Sequence, residues 1–420
     1  MSKVIPFRGI LYKNDRVAGD EVTAPPYDII TAEFRERLYQ KSPYNIVQID
    51  FGKEIIGDND INNKYIRARD LLEQWIEKDI MIRDEKPSFY VYEIEYSINK
   101  ERKSLKGIIS LVKIEEFGQG IYPHELTHSK PKTDRLNLMK TCQANISPIY
   151  ALYNSEEKIT SNIIRNISGE PYISARDTDG AIHKVFKISD EASIDLITKE
   201  LSDKAIFIAD GHHRYEVALE YKKEMESKIP MEEKKKGEVK SYPWQYVMMF
   251  LANIADEGIT ILPTHRMIKG IKKEDVLLRL EPDFVIETCA LECDIKERLS
   301  LERENTFGLY LGSTKKWYVL RYKGTNLKDV QPPLRDLDVV ILQELIIKRD
   351  LGITDIAYEM DIEESLRKVR SGDFDAVFFL KPTKVEYVER VALAGLRMPP
   401  KSTYFYPKLL TGLVLNKFNS

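Results

Sequence analysis

The sequence predicts a multi-domain protein of the mixed α/β class, in which strands and helices alternate along most of the chain. At 420 residues the chain is longer than one typical hydrophobic core, so two or three domains are expected. Apolar residues make up 43% of the chain and charged residues 31%, which is typical of a globular protein. Segments with the period of a strand are interleaved with segments with the period of a helix, and this pattern predicts the fold class.

The alternation begins in the first third of the chain, residues 1–115. The segment NIVQIDFG, residues 45–52, alternates like a strand, and residues 63–84 carry apolar side chains at helical spacing. Residues 88–98 and 103–117 read as paired strands, because they are rich in β-branched and aromatic residues and a short polar link joins them. We therefore expect an N-terminal α/β region.

The middle of the chain begins with a polar loop and continues with strands and helices. The segment YPHELTHSKPKTDRLNLM is polar and interrupted by prolines, and a helix is predicted from about Thr133. SPIYALYN, residues 147–154, reads as a strand. KAIFIADG reads as another strand that ends at Gly211, and the pattern after it predicts a helix from about His213.

The sequence divides the remaining chain into a core region, residues 116–270, and a C-terminal α/β domain, residues 271–420. The core region closes with two predicted strands, WQYVMMFLANI and ITILPTHR, on either side of a glycine turn. In the C-terminal domain, DVVILQELIIKRDLG reads as a helix, DFDAVFFLKP as a buried strand and TKVEYVERVALAG as a second helix.

Composition and charge exclude several classes of protein. The formal net charge of -3 provides no global attraction to nucleic acid or to an anionic membrane. The chain has no apolar run long enough for a transmembrane helix, and MSKVIPFRGILYKND lacks the apolar core of a signal peptide. Cys142, Cys289 and Cys293 are too few for a disulfide framework, and the last two read as core residues rather than half a zinc site. We expect a cytoplasmic protein without a membrane or nucleic-acid partner.

A run of polar residues, Asp210-Gly211-His212-His213-Arg214, lies where the predicted strand IFIAD passes into a helix. Backbone N–H groups at a helix N-terminus lack intrahelical partners, so an anion is stabilised there. Gly211 permits close approach, Arg214 can bind a phosphate through two N–H groups, and the histidines can donate further bonds. Because a carboxylate repels a phosphate, Asp210 either binds Mg²⁺ or orients Arg214 or a histidine. The run therefore predicts a phosphate-binding site, and simple helix capping is the alternative.

The letters HELTH, which begin at His124, match the zinc-binding pattern H-E-x-x-H. Prolines and polar residues flank the pattern, so the long buried helix that a zinc site needs is not expected. We interpret the segment as a loop that presents His124 and Glu125 as acid/base groups, with Lys132 and Arg135 close behind for an anionic substrate group. A zinc hydrolase that uses His128 as a further ligand stays open as an alternative, as does a polar surface loop.

Three other stretches carry weaker signals. TAPPYDII, residues 23–30, is a rigid turn for which capping and catalysis are equally good explanations. His265 and Arg266 end a predicted strand, where a ligand binds in an open α/β sheet. MPPKSTYFYPKLLTG, residues 398–412, is an aromatic loop that either covers a nucleotide base or packs on the core. The chain has no Walker A loop, no G-x-G-x-x-G and no G-x-S-x-G, so phosphate chemistry here would use another scaffold.

Several stretches in order resemble a bacterial and archaeal family known as domain of unknown function 1015. They are APPYDII, SPYNIV, PHELT followed by PKTDR, NISPIYALY, IADGHHRYEVALEY, ILPTHR and PPKSTYFYPKLLTG. The resemblance extends from Pro6 to about Gly412 and implies membership of this family. It implies no activity, because the family has none established.

The polar run at residues 210–214 is also similar to the nucleotide-binding turn of the ParB/sulfiredoxin superfamily, which includes chromosome-partitioning proteins, sulfiredoxins and free-serine kinases. In that superfamily a strand–turn–helix unit holds nucleotide phosphates at a helix N-terminus, and the version in the serine kinases is the most similar to this one. The resemblance implies a ParB/sulfiredoxin-like mixed sheet in the core region and a site for ATP or ADP. This chain is much longer than a sulfiredoxin-like domain, and no helix-turn-helix DNA reader follows the run.

Together these features predict nucleotide-dependent phosphoryl transfer to a small hydroxylated metabolite, with free serine as one candidate. Residues 210–214 would hold ATP or ADP, with His213 neutralising charge and Mg²⁺ bridging through Asp210. Glu125 would accept the hydroxyl proton and His124 would tune it. A regulatory nucleotide-binding protein without catalysis is the alternative, and the expected partners are a nucleotide and a small-molecule substrate. The candidate substrate-binding residues are Lys132, Arg135, His265 and Arg266.

Overall fold

The structure is a computed structural model, and it divides the chain into two compact units. The first unit contains Met1–Pro123, Thr127–Thr260 and Pro407–Ser420, and the second contains His124–Leu126 and Ile261–Tyr406. Both units mix helices with sheets, which confirms the predicted α/β, multi-domain class. The residues that the structure describes are 3–126, 130–230, 241–271, 276–289, 295–324 and 326–418.

The first unit is built on one mixed sheet, in which the described residues form nine strands. The strands of this unit are β1 (Val4–Ile5), β2 (Ile10–Tyr12), β3 (Met81–Arg83), β4 (Phe89–Ile98), β5 (Glu101–Lys113), β6 (Ile121–Pro123), β7 (Ala144–Asn145), β8 (Ile149–Tyr153), β9 (Ile173–Arg176), β10 (Ile182–Ile188), β11 (Ile206–Asp210), β12 (Tyr246–Asn253) and a last strand, Asn416–Lys417. The order across the main sheet is β6-β11-β8-β12-β5-β4-β10-β9, and β1 pairs with β5. Outside it, β2 pairs with β3, and β7 pairs with the last strand.

Some helices of this unit pack against the sheet and complete a hydrophobic core. The helices of the unit are α1 (Gly19–Val22), α2 (Ala32–Lys41), α3 (Val47–Asp50), α4 (Lys64–Glu77), α5 (Lys130–Cys142), α6 (Ile159–Arg165), α7 (Glu191–Leu201) and α8 (His212–Lys228). Ile197 of α7 and Ala218 of α8 belong to the same buried cluster as Ile108 and Ile206 of the sheet. Because these apolar side chains are buried together, α8 is held against the sheet.

The register of β11 determines where the polar run lies. β11 runs parallel to β6 and antiparallel to β8, with Ile206 opposite Tyr153 and Asp210 opposite Tyr150. The end of β11 therefore lies beside the beginning of β8. The predicted strand–helix junction is confirmed here, with α8 starting one residue earlier than expected, at His212.

The strand predicted for NIVQIDFG is wrong, because Val47–Asp50 form the short helix α3. The Asn45 side chain explains the helical turn, since its Oδ1 accepts a hydrogen bond of 3.0 Å from the amide of Val47. Its amide group also donates to the carbonyls of Glu21 and Thr23, which fixes the turn in the core. Four residues are too few for the strand period and the helix period to be told apart.

The second unit contains a sheet of its own, with six strands among the described residues. The strands are β13 (Thr260–Leu262), β14 (His265–Ile268), β15 (Phe284–Cys289), β16 (Thr306–Leu311), β17 (Lys316–Tyr322), β18 (Ile356–Glu359), β19 (Ala376–Phe379) and β20 (Tyr404–Tyr406), and the six run in the order β15-β17-β16-β19-β14-β18. The helices are Val276–Leu280, Ile295–Leu301, Pro332–Arg335, Asp338–Ile341, Leu342–Leu351, Ile362–Arg370 and Val385–Leu393. Neighbouring residues such as Met267 and Ile268 belong to different core clusters, so the sheet is buried on both faces.

The main sheet of the first unit contains strands from two of the regions predicted from the sequence. Strands from residues 1–115 and from residues 116–270 lie in one sheet, so the structure joins those two regions in a single compact unit. Among the described helices, none is long and apolar enough to cross a lipid bilayer.

Candidate functional site

The junction between β11 and α8 turns through a left-handed glycine. Gly211 has φ 89° and ψ 27°, a conformation that L side chains rarely adopt, and α8 begins at the next residue. Gly211 is the N-cap position, and no side-chain hydrogen bond caps the helix there. His212 is buried beside it and His213 is half-buried. The first turn of a long helix thus begins at the end of the interior strand β11 without a capping side chain.

Arg214 folds back over this turn. Its Nη1 donates to the carbonyl of Pro148 and to Ser147 Oγ at 3.3 Å, and its Nη2 donates to Asp210 Oδ2 at 2.9 Å. A Cβ placed on Gly211 would lie 2.8 Å from Nε and 2.9 Å from Nη2. The guanidinium carbon Cζ would also lie 2.9 Å away, so the side of the guanidinium that carries Nε and Nη2 lies flat over Gly211. The Nε–Nη2 edge on this side is the one that binds a phosphate with two bonds.

Asp210 is neutralised within the chain. Its Oδ1 accepts a hydrogen bond of 2.7 Å from Lys408 Nζ, and its Oδ2 accepts the bond from Arg214. The sequence predicts that Asp210 either binds Mg²⁺ or orients Arg214 or a histidine, and the hydrogen bond from Arg214 corresponds to the second role. The group of one carboxylate and two cations leaves a net positive charge beside the helix N-terminus, and Lys408 is a member that sequence reasoning missed.

Arg135 forms a second charged group in the same unit. Its Nη1 donates to Asp50 Oδ1 at 3.0 Å, and its Nε and Nη2 donate to Asp134 Oδ2 at 3.0 and 2.6 Å. The guanidinium carbon lies 4.1 Å from the centre of the Tyr27 ring. Lys64 Nζ also pairs with Asp134, at 2.8 Å, so the charges of this group balance. Because its N–H groups are already bonded to carboxylates, Arg135 is a poor free anion receptor and a good anchor for Tyr27 and Asp50.

Burial shifts the pKa values of this second group. It raises the pKa of Tyr27 to about 12, with Arg135 and Arg214 acting in the opposite direction. It also raises the pKa of Asp50, again against the effect of Arg135 and Arg214. Asp50 Oδ2 is buried without a hydrogen-bond partner among the described residues. The charge of Arg214 lowers the pKa values of both Tyr27 and Asp50, so the cluster around Arg135 and the cluster around Arg214 are electrostatically linked. Ionisable groups with perturbed pKa values are typical of functional sites.

Lys132, predicted to bind substrate, takes part in helix packing. It pairs with Glu216 of α8, and eight residues further along α5 Lys140 pairs with Glu224. The two ion pairs connect α5 to α8 at equal spacing on both helices. A structural role for Lys132 explains its contacts, and its role in substrate binding stays a prediction.

His124 and Glu125 lie in the second unit, where they hold the loop before β20. Glu125 Oε1 accepts a bond of 2.8 Å from the amide of Lys401, and Oε2 accepts one of 3.3 Å from the amide of Ser402. His124 Nε2 lies 2.8 Å from Thr403 Oγ1. Both residues therefore have a positioning role in their own unit. The catalytic roles predicted for them stay predictions.

His265 and Arg266 point to opposite faces of the second sheet, as neighbours on a strand must. The His265 ring packs edge-on against Phe379 at 4.9 Å, and burial lowers its pKa to about 3. Arg266 is fully buried, donates to the carbonyls of Thr264 and Lys401, and has its own pKa lowered to about 10 by burial. The two side chains cannot bind one ligand on one face, and neither role in substrate binding is tested.

The zinc alternative depends on a residue outside the described part of the chain. His128 is not described, and neither is Cys293. Among the described residues, no group of three or more histidine, cysteine, aspartate or glutamate side chains could hold a metal ion. Cys142 and Cys289 are free thiols, the first buried and the second half-buried.

A family model described as "Protein of unknown function (DUF1015)" matches residues 4–340. The chain belongs to this family. The motif-based resemblance is thereby confirmed for DUF1015, although the motif PPKSTYFYPKLLTG lies beyond the matched residues. No curated protein matches this DUF1015 chain.

Among solved structures, the DUF1015 chain is similar to a conserved hypothetical protein from Pyrococcus furiosus, with 17% identity, 69% of this chain and 89% of that chain covered, and a TM-score of 0.33. A free serine kinase in complex with AMP has 15% identity, 68% and 83% coverage, and a TM-score of 0.33. SbnI with a C-terminal truncation, from Staphylococcus aureus, has 12% identity, 72% and 85% coverage, and a TM-score of 0.36. At these values the likeness carries no statement about the ligand of this chain, and the ParB/sulfiredoxin resemblance stays a prediction.

Proposed function

We propose that this DUF1015 protein binds ATP or ADP at the start of α8 and transfers a phosphoryl group to a small hydroxylated metabolite, with free serine as one candidate. The observation that carries the proposal is the position of the Nε–Nη2 edge of Arg214 over Gly211, at the N-terminus of a long helix. A nucleotide phosphate placed there meets a guanidinium edge and the positive end of a helix dipole. No other position among the described residues combines these two features with a left-handed glycine N-cap.

The contacts of Arg214 leave it able to bind an anion. Within the described residues, the bonds to Ser147, Pro148 and Asp210 use three of its five N–H groups. The remaining donors are Nε–H and one hydrogen of Nη2, on the edge that covers Gly211. Asp210 and Lys408 hold this edge in place, so little rotamer entropy is lost when a phosphate binds.

Mg²⁺ accompanies ATP or ADP and would neutralise charge that develops on the phosphates. Asp210 does not fit well as its ligand, because both oxygens already accept bonds from cationic side chains. The proposal therefore assigns Asp210 to the positioning of Arg214 and Lys408, and the role of Asp210 as a magnesium ligand stays a separate prediction.

The proton acceptor has two candidates. Glu125 is the candidate from the sequence, and it belongs to the second unit, where its carboxylate accepts two backbone bonds. Asp50 belongs to the same unit as Arg214, and its Oδ2 has no hydrogen-bond partner among the described residues. A carboxylate whose pKa is raised by burial is a stronger base and takes up a proton more readily from a hydroxyl group, as a general base must.

Calorimetric titration of ATP and of ADP tests the binding step. Arg214→Ala should weaken binding by at least about tenfold, which corresponds to about 1.4 kcal/mol. The matched control is Arg37→Ala, which removes an exposed arginine of α2 that stacks on Phe34. Equal affinities for Arg214→Ala and the control would overturn the proposed site.

Phosphorus NMR of mixtures of the protein, ATP or ADP and L-serine tests the transfer step. Formation of phosphoserine supports the reaction, and Glu125→Gln and Asp50→Asn separate the two candidate bases. The variant that keeps nucleotide affinity and loses turnover identifies the base. Nucleotide binding without transfer to serine or to other small alcohols would leave a binding protein and overturn the kinase assignment.

A further inference from the structure

A cavity of about 150 Å³ lies at the end of β8 that is far from Arg214, where β8 and the parallel strand β12 both finish. Tyr153 and Asn253, the last residues of these strands, line it together with Ser104 of β5 and Ser161 of α6. A volume of this size holds several water molecules, and therefore a metabolite of a few heavy atoms. None of the predicted site residues lies in its wall.

The part of the cavity wall that follows β12 is a turn, and this turn is packed tightly against β5. The amide of Gly258 donates to Asp256 Oδ1 at 2.8 Å, and the Gly258 carbonyl accepts a bond of 2.8 Å from Tyr96. A Cβ on Gly258 would lie 2.1 Å from the carbonyl oxygen of Ser104, so the turn can approach β5 this closely only with glycine. The cavity is therefore preformed rather than a gap under a loose loop.

Charges of both signs face this cavity. Asp256 and Glu257 come from the turn, Lys106 comes from β5, and Arg165 ends α6. Lys106 is held by Glu93 at 3.0 Å, whereas the guanidinium of Arg165 forms no hydrogen bond with the described residues. Burial raises the pKa of Asp256, and the nearby Arg165 and Lys106 reduce this effect without cancelling it.

We propose that this cavity binds a small zwitterion, an α-amino acid, whose carboxylate meets Arg165 and whose ammonium meets Asp256 and Glu257. A ligand with both charges satisfies both signs in one small space, whereas a simple anion would be repelled by the two carboxylates and a simple cation by Arg165 and Lys106. The hydroxyls of Ser104 and Ser161 supply further polar contacts at the wall.

The cavity is separate from the proposed nucleotide site. Pro148, whose carbonyl holds Arg214, precedes β8, and Tyr153 ends it, so about 16 Å of strand separates the two positions at about 3.3 Å per residue. This distance is too long for direct phosphoryl transfer. The amino acid in this cavity is therefore a second ligand of the protein and not the phosphoryl acceptor.

The test uses three matched probes: L-alanine, propionate, which lacks the ammonium group, and ethylamine, which lacks the carboxylate. L-Alanine has no hydroxyl group and so cannot be the hydroxyl acceptor of the proposed transfer. In calorimetric titrations of the full chain, L-alanine should bind and the other two should bind at least about tenfold more weakly. Equal affinities for the three probes, or no heat with L-alanine at millimolar concentrations, would overturn the proposal.

Variants place the binding in this cavity. Arg165→Gln and Asp256→Asn should each weaken L-alanine binding by about tenfold, while Arg37→Gln on the exposed face of α2 should not change it. Arg214→Ala should weaken L-alanine binding far less than Arg165→Gln does, because Arg214 lies at the other end of β8. Loss of L-alanine binding in Arg214→Ala together with full binding in Arg165→Gln would assign the amino acid to the nucleotide region and sink the inference.

Discussion

Lys408 Nζ and Asp210 Oδ1 lie 2.7 Å apart, although 198 positions separate the two residues in the sequence. The ion pair fixes the C-terminal segment Pro407–Ser420 to the end of β11 within the first unit. Both side chains are mostly buried, so the pair is less screened by solvent than a surface ion pair.

Lys408→Met should therefore destabilise the first unit by about 1–3 kcal/mol, because Asp210 keeps its charge and loses one of its two cations. Urea unfolding measures the loss. Lys417→Met is the control in the same segment, since Lys417 pairs at 3.4 Å with the exposed Glu73 and should change stability by less than about 1 kcal/mol. If the two variants lose the same stability, the Lys408–Asp210 pair has no special role.

Gly211→Ala should lower the free energy of unfolding by more than the strained backbone conformation alone explains. The left-handed φ of 89° costs an alanine about 1–2 kcal/mol, and its Cβ would also displace the Arg214 guanidinium. Gly180→Ala is the matched control, because Gly180 has φ 87° and no atom within 4 Å of the added Cβ. The excess loss in Gly211→Ala over Gly180→Ala, from urea unfolding, measures the displacement of Arg214. The same variant should weaken ADP binding, and normal affinity would contradict the proposed site.

The pKa of about 12 for Tyr27 predicts a loss of stability in alkali. Between pH 10 and 12 the unfolded chain loses the phenol proton while the folded chain keeps it, so stability falls as pH rises. The slope from this one group is about 1.4 kcal/mol per pH unit. Tyr27→Phe should lack this contribution, and the difference between wild type and variant in urea unfolding at pH 8, 10 and 11 checks it. A constant difference would show that Tyr27 is not shifted.

His265 predicts an acid-dependent loss in the second unit. Its pKa of about 3 lies below the usual value of 6.5, so between these values the unfolded chain binds a proton that the folded chain does not. Stability should fall as pH drops from 6.5 towards 3, by about 1.4 kcal/mol per pH unit from this group. His265→Phe keeps the ring contact with Phe379 and removes the titration. Parallel pH profiles of the variant and wild type would disprove the shift.

Local sequence patterns correctly predict the junction between β11 and α8. They fail where contacts between distant residues determine the secondary structure. The apolar run before Asp210 and the helical spacing after Gly211 are local, and both elements form as expected. The turn at Asp50 was assigned to a strand, since the decisive bonds from Asn45 reach Glu21 and Thr23, more than twenty residues away. The sequence therefore did not identify Asp50 as a site residue.

In the candidate site, too, local sequence patterns identify some residues, whereas others depend on contacts with distant parts of the chain. Gly211 and Arg214 were identified from their residue types and their position at a helix start. The sequence places Lys408 in an aromatic loop, and no local pattern links it to Asp210. Lys132 was assigned to substrate from its position after HELTH, and its ion pair with Glu216 depends on how α5 packs on α8. A charged residue acquires its role from the partner that folding brings to it.

Strand β8 follows Pro148, whose carbonyl holds the Arg214 guanidinium, and it ends at Tyr153, which lines the cavity. Ladder bonds on both sides make this five-residue strand one continuous element between the two proposed binding positions. If a ligand at one end displaces the strand at the other, the two ligands are thermodynamically coupled, and the coupling free energy must be the same in both directions. Amino-acid supply would then set how tightly the nucleotide is held, and nucleotide occupancy would set the amino-acid concentration to which the protein responds.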